Sequence, residues 1–188
     1  MNSRPDFDLN FSPQPGPQTA FVNSPFDITV FGGARGGGKT YASLGSFFLR
    51  AQDHGQDARG LIVRRTREAL RDTVGVAERM YHGAAKWVDK GQHFRFDNGA
   101  RLFAAYLDSE QDAQNYQGWG LTDVMVEELT QWASPAPVFR LFGAMRSAAG
   151  IRAQMRATCN PGGPGHLWVK EWVIDNGPYN PIVDPDTT

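Results

Sequence analysis

Apolar positions along this chain fall into short runs separated by longer stretches in which they recur at helical spacing. The run Ile28-Thr29-Val30-Phe31 is β-branched and aromatic and is followed by glycines, which predicts a strand. Residues 39–52 then carry a helical pattern, and residues 60–65 return to an apolar, β-branched run, so the three segments make a βαβ unit. Thr66 suits the N-cap of a helix running to about Tyr81. Asp97-Asn98-Gly99 separates the runs 93–96 and 101–105, a hairpin signal, and this hairpin is expected as an insertion beside the main sheet. Further along, residues 108–117 read as a polar helix, 122–126 as a buried strand, 137–148 as a helix, 151–159 as a strand and 166–174 as a helix. Pro5, Pro13, Pro15, Pro17 and Pro25 predict an extended arm over residues 1–27 in place of regular structure. Strands alternating with helices predict an α/β fold, with a mainly parallel sheet covered by helices on both faces.

Composition narrows the class without naming a function. The 188 residues suit one domain, with 40% hydrophobic and 21% charged residues and a formal net charge of −1, as in a folded globular chain. Net charge therefore offers no argument for nucleic-acid binding. Cys159 is the only cysteine, which rules out an internal disulfide and a cysteine-based zinc site and suits a reducing cytoplasm. His54, His82, His93 and His166 share no metal-ligand spacing. The N-terminus lacks the apolar core of a signal peptide, and no apolar run reaches the length of a bilayer span, so secretion and membrane insertion are not expected.

Chemistry concentrates after the first strand. Gly33-Ala34-Arg35-Gly36-Gly37-Gly38-Lys39-Thr40 fits G-x-x-x-x-G-K-T between a strand and a helix, the context a phosphate-binding loop requires. Its glycines allow backbone N–H groups to turn inward around phosphates, Lys39 can reach the β- and γ-phosphates, and the Thr40 hydroxyl can hold Mg²⁺. The alternative is a glycine-rich surface turn. In a parallel sheet, acids useful to such a loop must follow a strand, and Glu127 and Glu128 do so, whereas Asp123 precedes the same strand. Two adjacent acids point in different directions, which assigns Glu127 to Mg²⁺, through its water shell, and Glu128 to the attacking water. The competing reading has both acids favouring the start of the next helix. Arg35 lies close enough to neutralise charge on the γ-phosphate, or else is a solvated loop arginine. Asn160 ends a strand before Pro161-Gly162-Gly163 and is expected to face the same crevice, where an amide could bond the γ-phosphate or water; the same tripeptide is also an ordinary turn.

Taken in order, Pro15 to Phe21, the arginine-containing loop, Ile62-Val63-Arg64-Arg65-Thr66, Tyr116-Gln117-Gly118-Trp119, Val126-Glu127-Glu128-Leu129-Thr130 and Thr158-Cys159-Asn160-Pro161-Gly162 resemble the ATPase domain of the large terminase subunit of tailed bacteriophages. The resemblance implies a P-loop NTPase of the RecA-like (ASCE) type over residues 28–176, preceded by an arm at 1–27. It further implies a linker start at 177–188 and no nuclease domain in this chain. It implies ATP and Mg²⁺ as ligands, an adenine contact by Gln18, catalysis by Arg35, and coupling of hydrolysis to movement through Asn160. Double-stranded DNA, other copies of the chain in a ring, a portal protein and a small terminase subunit are the partners it implies, in the cytoplasm of an infected bacterium and without a membrane. Glu127 stands where many relatives carry Asp, and Gln117 stands where some place a trans-acting arginine, which leaves Arg64, Arg65, Arg67 and Arg140 as candidates for that role. A small-molecule kinase and an inactive nucleotide-dependent interaction module are the other readings. The basic cluster Arg59, Arg64, Arg65, Arg67 and Arg71 could meet DNA or a neighbour's phosphates, but equally suits a solvated strand end; Trp168 and Trp172, four apart on a helix, suit core packing.

Overall fold

The computed structural model of the chain describes residues 11–34 and 36–175. Among these, seven strands form one sheet: β1 (Ile28–Gly32), β2 (Arg59–Arg64), β3 (Ala85–Val88), β4 (His93–Phe96), β5 (Arg101–Tyr106), β6 (Asp123–Val126) and β7 (Gln154–Cys159). Their order is β1-β7-β6-β2-β5-β4-β3. The first five strands of that order are parallel, and β4 and β3 close the sheet antiparallel. The Asn-Gly hairpin is present, and its strands are hydrogen-bonded into the sheet: β5 pairs with β2 along its whole length, and β4 continues from it. Strand β3 had no separate sequence signal, because Ala85-Lys86-Trp87-Val88 is too short to show a period; Trp87 packing against Phe94, 4.8 Å between ring centres, supplies its reason to pair.

Helices cover both faces. The helix α2 (Lys39–His54), following α1 (Pro17–Val22), joins α3 (Arg67–Met80) on one side, where Phe47, Phe48, Tyr81, Phe94, Phe96 and Leu102 are buried together. Burying such side chains contributes about 1.5–3 kcal/mol each. The Tyr81 hydroxyl donates to the Leu44 carbonyl at 2.8 Å and so ties the end of α3 to α2. On the other side, α4 (Glu110–Gln114), α5 (Ala136–Arg140) and α6 (His166–Lys170) flank a second core built on Leu61, Val63, Val124, Val126, Trp132 and Met155. Trp168 and Trp172 pack there against Phe139, as core residues.

Boundaries differ from the sequence pattern at several elements. Helix α4 spans only Glu110–Gln114, and α6 gives way to a π-helical turn at Glu171. The arm is not wholly extended, because residues 17–22 are helical: Gly16 turns the chain with φ of 89° and Pro17 occupies a helix's first turn, where its missing N–H costs nothing. The helix expected over 137–148 ends as α5 and passes into a 3-10 turn, Leu141–Ala144. Strand β7 starts at Gln154 and not at 151, since the Ser147 hydroxyl accepts the N–H groups of Ala149 and Ile151 and Gly150 turns with φ of 74°.

Candidate active site

Strand order decides what meets at the carboxyl end of the sheet. Because β7 lies between β1 and β6, the loop after β1, the turn after β7, the acids after β6 and Arg64 at the end of β2 stand side by side. Gly32 pairs with Cys159, so Asn160 continues level with Gly33, next to the phosphate-binding loop.

Within that loop, Gly33, Gly36 and Gly38 take positive φ values, which side chains disfavour. Lys39 heads α2, and its Nζ donates to the carbonyls of Gly33 at 3.1 Å and Ala34 at 2.6 Å, which folds the loop around the ammonium. Gln18 is buried against the loop from α1: its Nε2 donates to the carbonyls of Gly37 at 3.3 Å and Gly38 at 3.4 Å, while its Oε1 accepts from Gln14 N–H at 3.0 Å. Arg35 lies outside the described residues. A Cβ on Gly38 would sit 2.3 Å from Gln18 Nε2. Gly38→Ala is therefore expected to lower the melting temperature by about 2–4 °C, from about 1 kcal/mol of left-handed strain, and to release Gln18 from the loop. Differential scanning calorimetry checks this; an unchanged melting temperature would refute the αL assignment.

The Thr40 hydroxyl donates to Glu127 Oε2 at 2.5 Å. Glu127 is almost wholly buried, at 1% exposure, and its Oε1 has no hydrogen-bond partner. Burial pushes its carboxyl above the ordinary range, opposed by the Thr40 hydrogen bond and the Arg64 charge. An orphaned buried carboxylate oxygen beside a hydroxyl is a hard oxygen pair, the donor type that suits Mg²⁺. Among the described residues no three His, Cys, Asp or Glu side chains cluster, so a cation here would draw its remaining ligands from phosphate and water.

Glu128 points elsewhere. Its backbone is left-handed, φ 57° and ψ 53°, which is unusual for a side chain of this kind, and its N–H donates to Thr158 Oγ1 at 3.2 Å. Arg64 Nη2 holds Glu128 Oε2 at 3.2 Å, and Arg64 Nη1 lies 3.7 Å from Glu127 Oε2, so one guanidinium spans both acids. Asn160 Oδ1 is buried without a partner, while its backbone carbonyl accepts from Thr130 Oγ1 at 3.1 Å. Gly162 and Gly163, both at φ of 85°, form the turn behind it. Asp123 sits at the opposite end of β6, bonded to Arg50 at 3.0 Å.

The candidate arginines are distributed in cis. Arg65 pairs with Asp108, Arg67 lies 4.4 Å over the Tyr106 ring, Arg140 pairs with Glu110 at 3.2 Å, and Arg64 is taken up by the acids. Arg64 as a partner of Glu127 and Glu128 and Thr158 as the acceptor for Glu128 were not read from the sequence; only the adjacency of β2, β6 and β7 reveals them.

Comparison with known proteins bears on the fold and the family. No curated protein matches the chain. The chain is similar to the large terminase of the thermophilic bacteriophage D6E, at 19% identity and a TM-score of 0.68 over 82% of this chain and 41% of that one. The same terminase in complex with ATP-gamma-S gives 21% identity and a TM-score of 0.61 over 82% and 40%. The N-terminal domain of the DNA packaging ATPase from bacteriophage phi29 gives 17% and 0.55 over 84% and 86%. The chain thus spans about two fifths of the D6E protein's length, and at these identities the likeness is one of fold. Residues 30–181 match the model of the terminase large subunit, T4likevirus-type, N-terminal, and the chain belongs to that family.

Proposed function

We propose that this chain is the ATP-hydrolysing part of a motor that drives double-stranded DNA into a viral procapsid. The observation that carries the reading is the separation of two adjacent acids: Glu127 turned inward to Thr40, and Glu128 turned outward under Arg64, beside the phosphate-binding loop. The loop's N–H groups and Lys39 would take the β- and γ-phosphates, the ammonium exchanging the Gly33 and Ala34 carbonyls for phosphate oxygens. Thr40 and Glu127 would hold Mg²⁺, which when bound neutralises charge on the phosphate oxygens. Glu128 would orient a water for in-line attack on the γ-phosphorus and accept its proton as the bond to the ADP oxygen breaks, leaving ADP and phosphate. Arg64 is a positioning residue that fixes the Glu128 carboxylate. Asn160 would donate from its amide nitrogen to the γ-phosphate, or accept that water's hydrogen at its unpartnered amide oxygen, and lose the bond on hydrolysis. Arg35 supplies a further positive charge within the loop, and Gln18 reaches the adenine by exchanging its loop contacts for the base.

The names of the similar proteins support the wider reading: one is a structure with ATP-gamma-S, and another is described as a viral genome packaging motor assembly. On that reading the chain works in a ring of copies, with portal protein and small subunit, in the cytoplasm of the infected bacterium. Steady-state release of phosphate from Mg-ATP across a protein concentration series, with and without linear duplex DNA, tests it. Slow turnover that rises with concentration or DNA is expected, because a trans contribution needs a neighbour. Phosphate transfer to a small acceptor, or tight nucleotide binding with no turnover under any of these conditions, would overturn it.

A further inference from the structure

Four cations lie in register across four adjacent strands. Lys86 on β3 pairs with Arg95 on β4, Arg95 with Arg101 on β5, and Arg101 with Arg59 on β2. Register partners share a face, so the four form one row. Arg95 sits between the buried Phe94 and Phe96, so the row occupies the face away from α2 and α3. Lys86, Arg95 and Arg101 are exposed. Arg59 lies 5.7 Å over the Phe103 ring with its Nε lacking a hydrogen-bond partner. Among the described residues none of the four is in an ion pair, whereas Arg50, Arg64, Arg65, Arg140 and Arg152 all are.

Like charges directly opposite each other destabilise a sheet, so an unbalanced row of this kind costs stability. Charges that merely guard an open edge would be needed on β3 alone, the terminal strand of the row; Arg101 and Arg59 are on interior strands. Three strand spacings of about 4.8 Å make the row about 14 Å long. One DNA strand advances ~3.4 Å along the helix axis per phosphate, so a row of this length spans about four phosphate steps. We propose that the Lys86-Arg95-Arg101-Arg59 row is a docking surface for the phosphate backbone of duplex DNA. The proposal rests on the packaging reading above and adds the place where DNA touches the domain. The row stands at the start of β2, about 16 Å along that strand from Arg64, and contributes nothing to the acids.

The test compares Arg95→Thr/Arg101→Thr with Arg71→Gln/Arg79→Gln, which removes the same charge from the exposed side of α3. Binding of a fluorescent linear duplex by the full chain is followed by anisotropy over a salt series, together with DNA-independent ATP hydrolysis. The row variant is expected to bind at least about tenfold more weakly near 0.1 M salt and to lower the log–log salt slope by about two, one for each phosphate no longer neutralised, with basal hydrolysis unchanged. Its melting temperature should not fall, since repulsion is removed. Equal slopes for the two variants, or no duplex binding by the wild type at low salt, would overturn the proposal. Loss of binding to polyglutamate with duplex binding intact would overturn it in favour of an acidic protein. Hydrolysis present with an unaltered duplex slope removes this inference alone, whereas a lowered slope in a chain that never turns over ATP removes the motor reading and leaves the surface.

Discussion

Glu128→Gln is expected to bind Mg-ATP with wild-type affinity and to release phosphate at least about 100-fold more slowly, the range lost with a positioned general base. The side chain is half-exposed on the crevice side and held by one charged partner, Arg64, so the neutral amide keeps the shape and removes only the basicity. Binding survives because the phosphate cradle belongs to residues 33–40 and the inward acid belongs to Glu127, neither of which depends on Glu128. Stability should change little: the Arg64 ion pair is weakened but Arg64 keeps Glu127 within 3.7 Å. Single-turnover release of labelled phosphate, with nucleotide affinity from a fluorescent analogue, separates the two effects. Wild-type turnover in this variant would remove Glu128 from the chemistry and place the burden on Glu127.

Lys39→Ala is expected to weaken ATP binding by about 10–100-fold, the worth of a charged hydrogen bond at about 1.5–3 kcal/mol, and to abolish measurable turnover. The ammonium has two functions in one place. It holds the Gly33 and Ala34 carbonyls inward, and it is the one side-chain cation fixed by the described part of the loop. Its removal leaves two carbonyls turned toward the site with no donor between them, which repels phosphate oxygens as well as failing to attract them. Isothermal titration with ATP and with ADP checks the assignment: a larger loss for ATP than for ADP is expected, because the γ-phosphate is the added charge. Equal losses would place the ammonium at the other phosphates only.

Much of this was readable before any coordinates. The loop from Gly33 to Thr40 announces itself because its chemistry is local, carried by eight consecutive residues of which Gly33, Gly36 and Gly38 take positive φ. The placement of Glu127 and Glu128 after their strand, and of Asp123 before it, followed from direction alone, and Thr40 meets Glu127 as that implies. What sequence could not supply was strand order. Arg64 looked like one member of a basic cluster, and only the neighbourhood of β2 and β6 turns it toward the acids while Arg65 and Arg67 turn to Asp108 and Tyr106. Likewise, residues 86, 95, 101 and 59 are scattered in the chain and become a row only through pairing. The short α1 escaped because prolines signal helix starts as readily as they signal their absence.

The pairing of β1 with β7 alone has a consequence for how the protein is made. The register partners Ile28 and Met155 are separated by 127 residues, and among the described residues β1 has no other strand beside it. A ribosome adding about 5–20 residues per second therefore leaves the strand that carries the phosphate loop without a sheet partner for roughly 6–25 s. Throughout that interval the other strands can assemble, but the loop has nothing to anchor it opposite the acids. The nascent chain thus cannot hold its phosphate-binding loop opposite Glu127 and Glu128 until β7 has been synthesised.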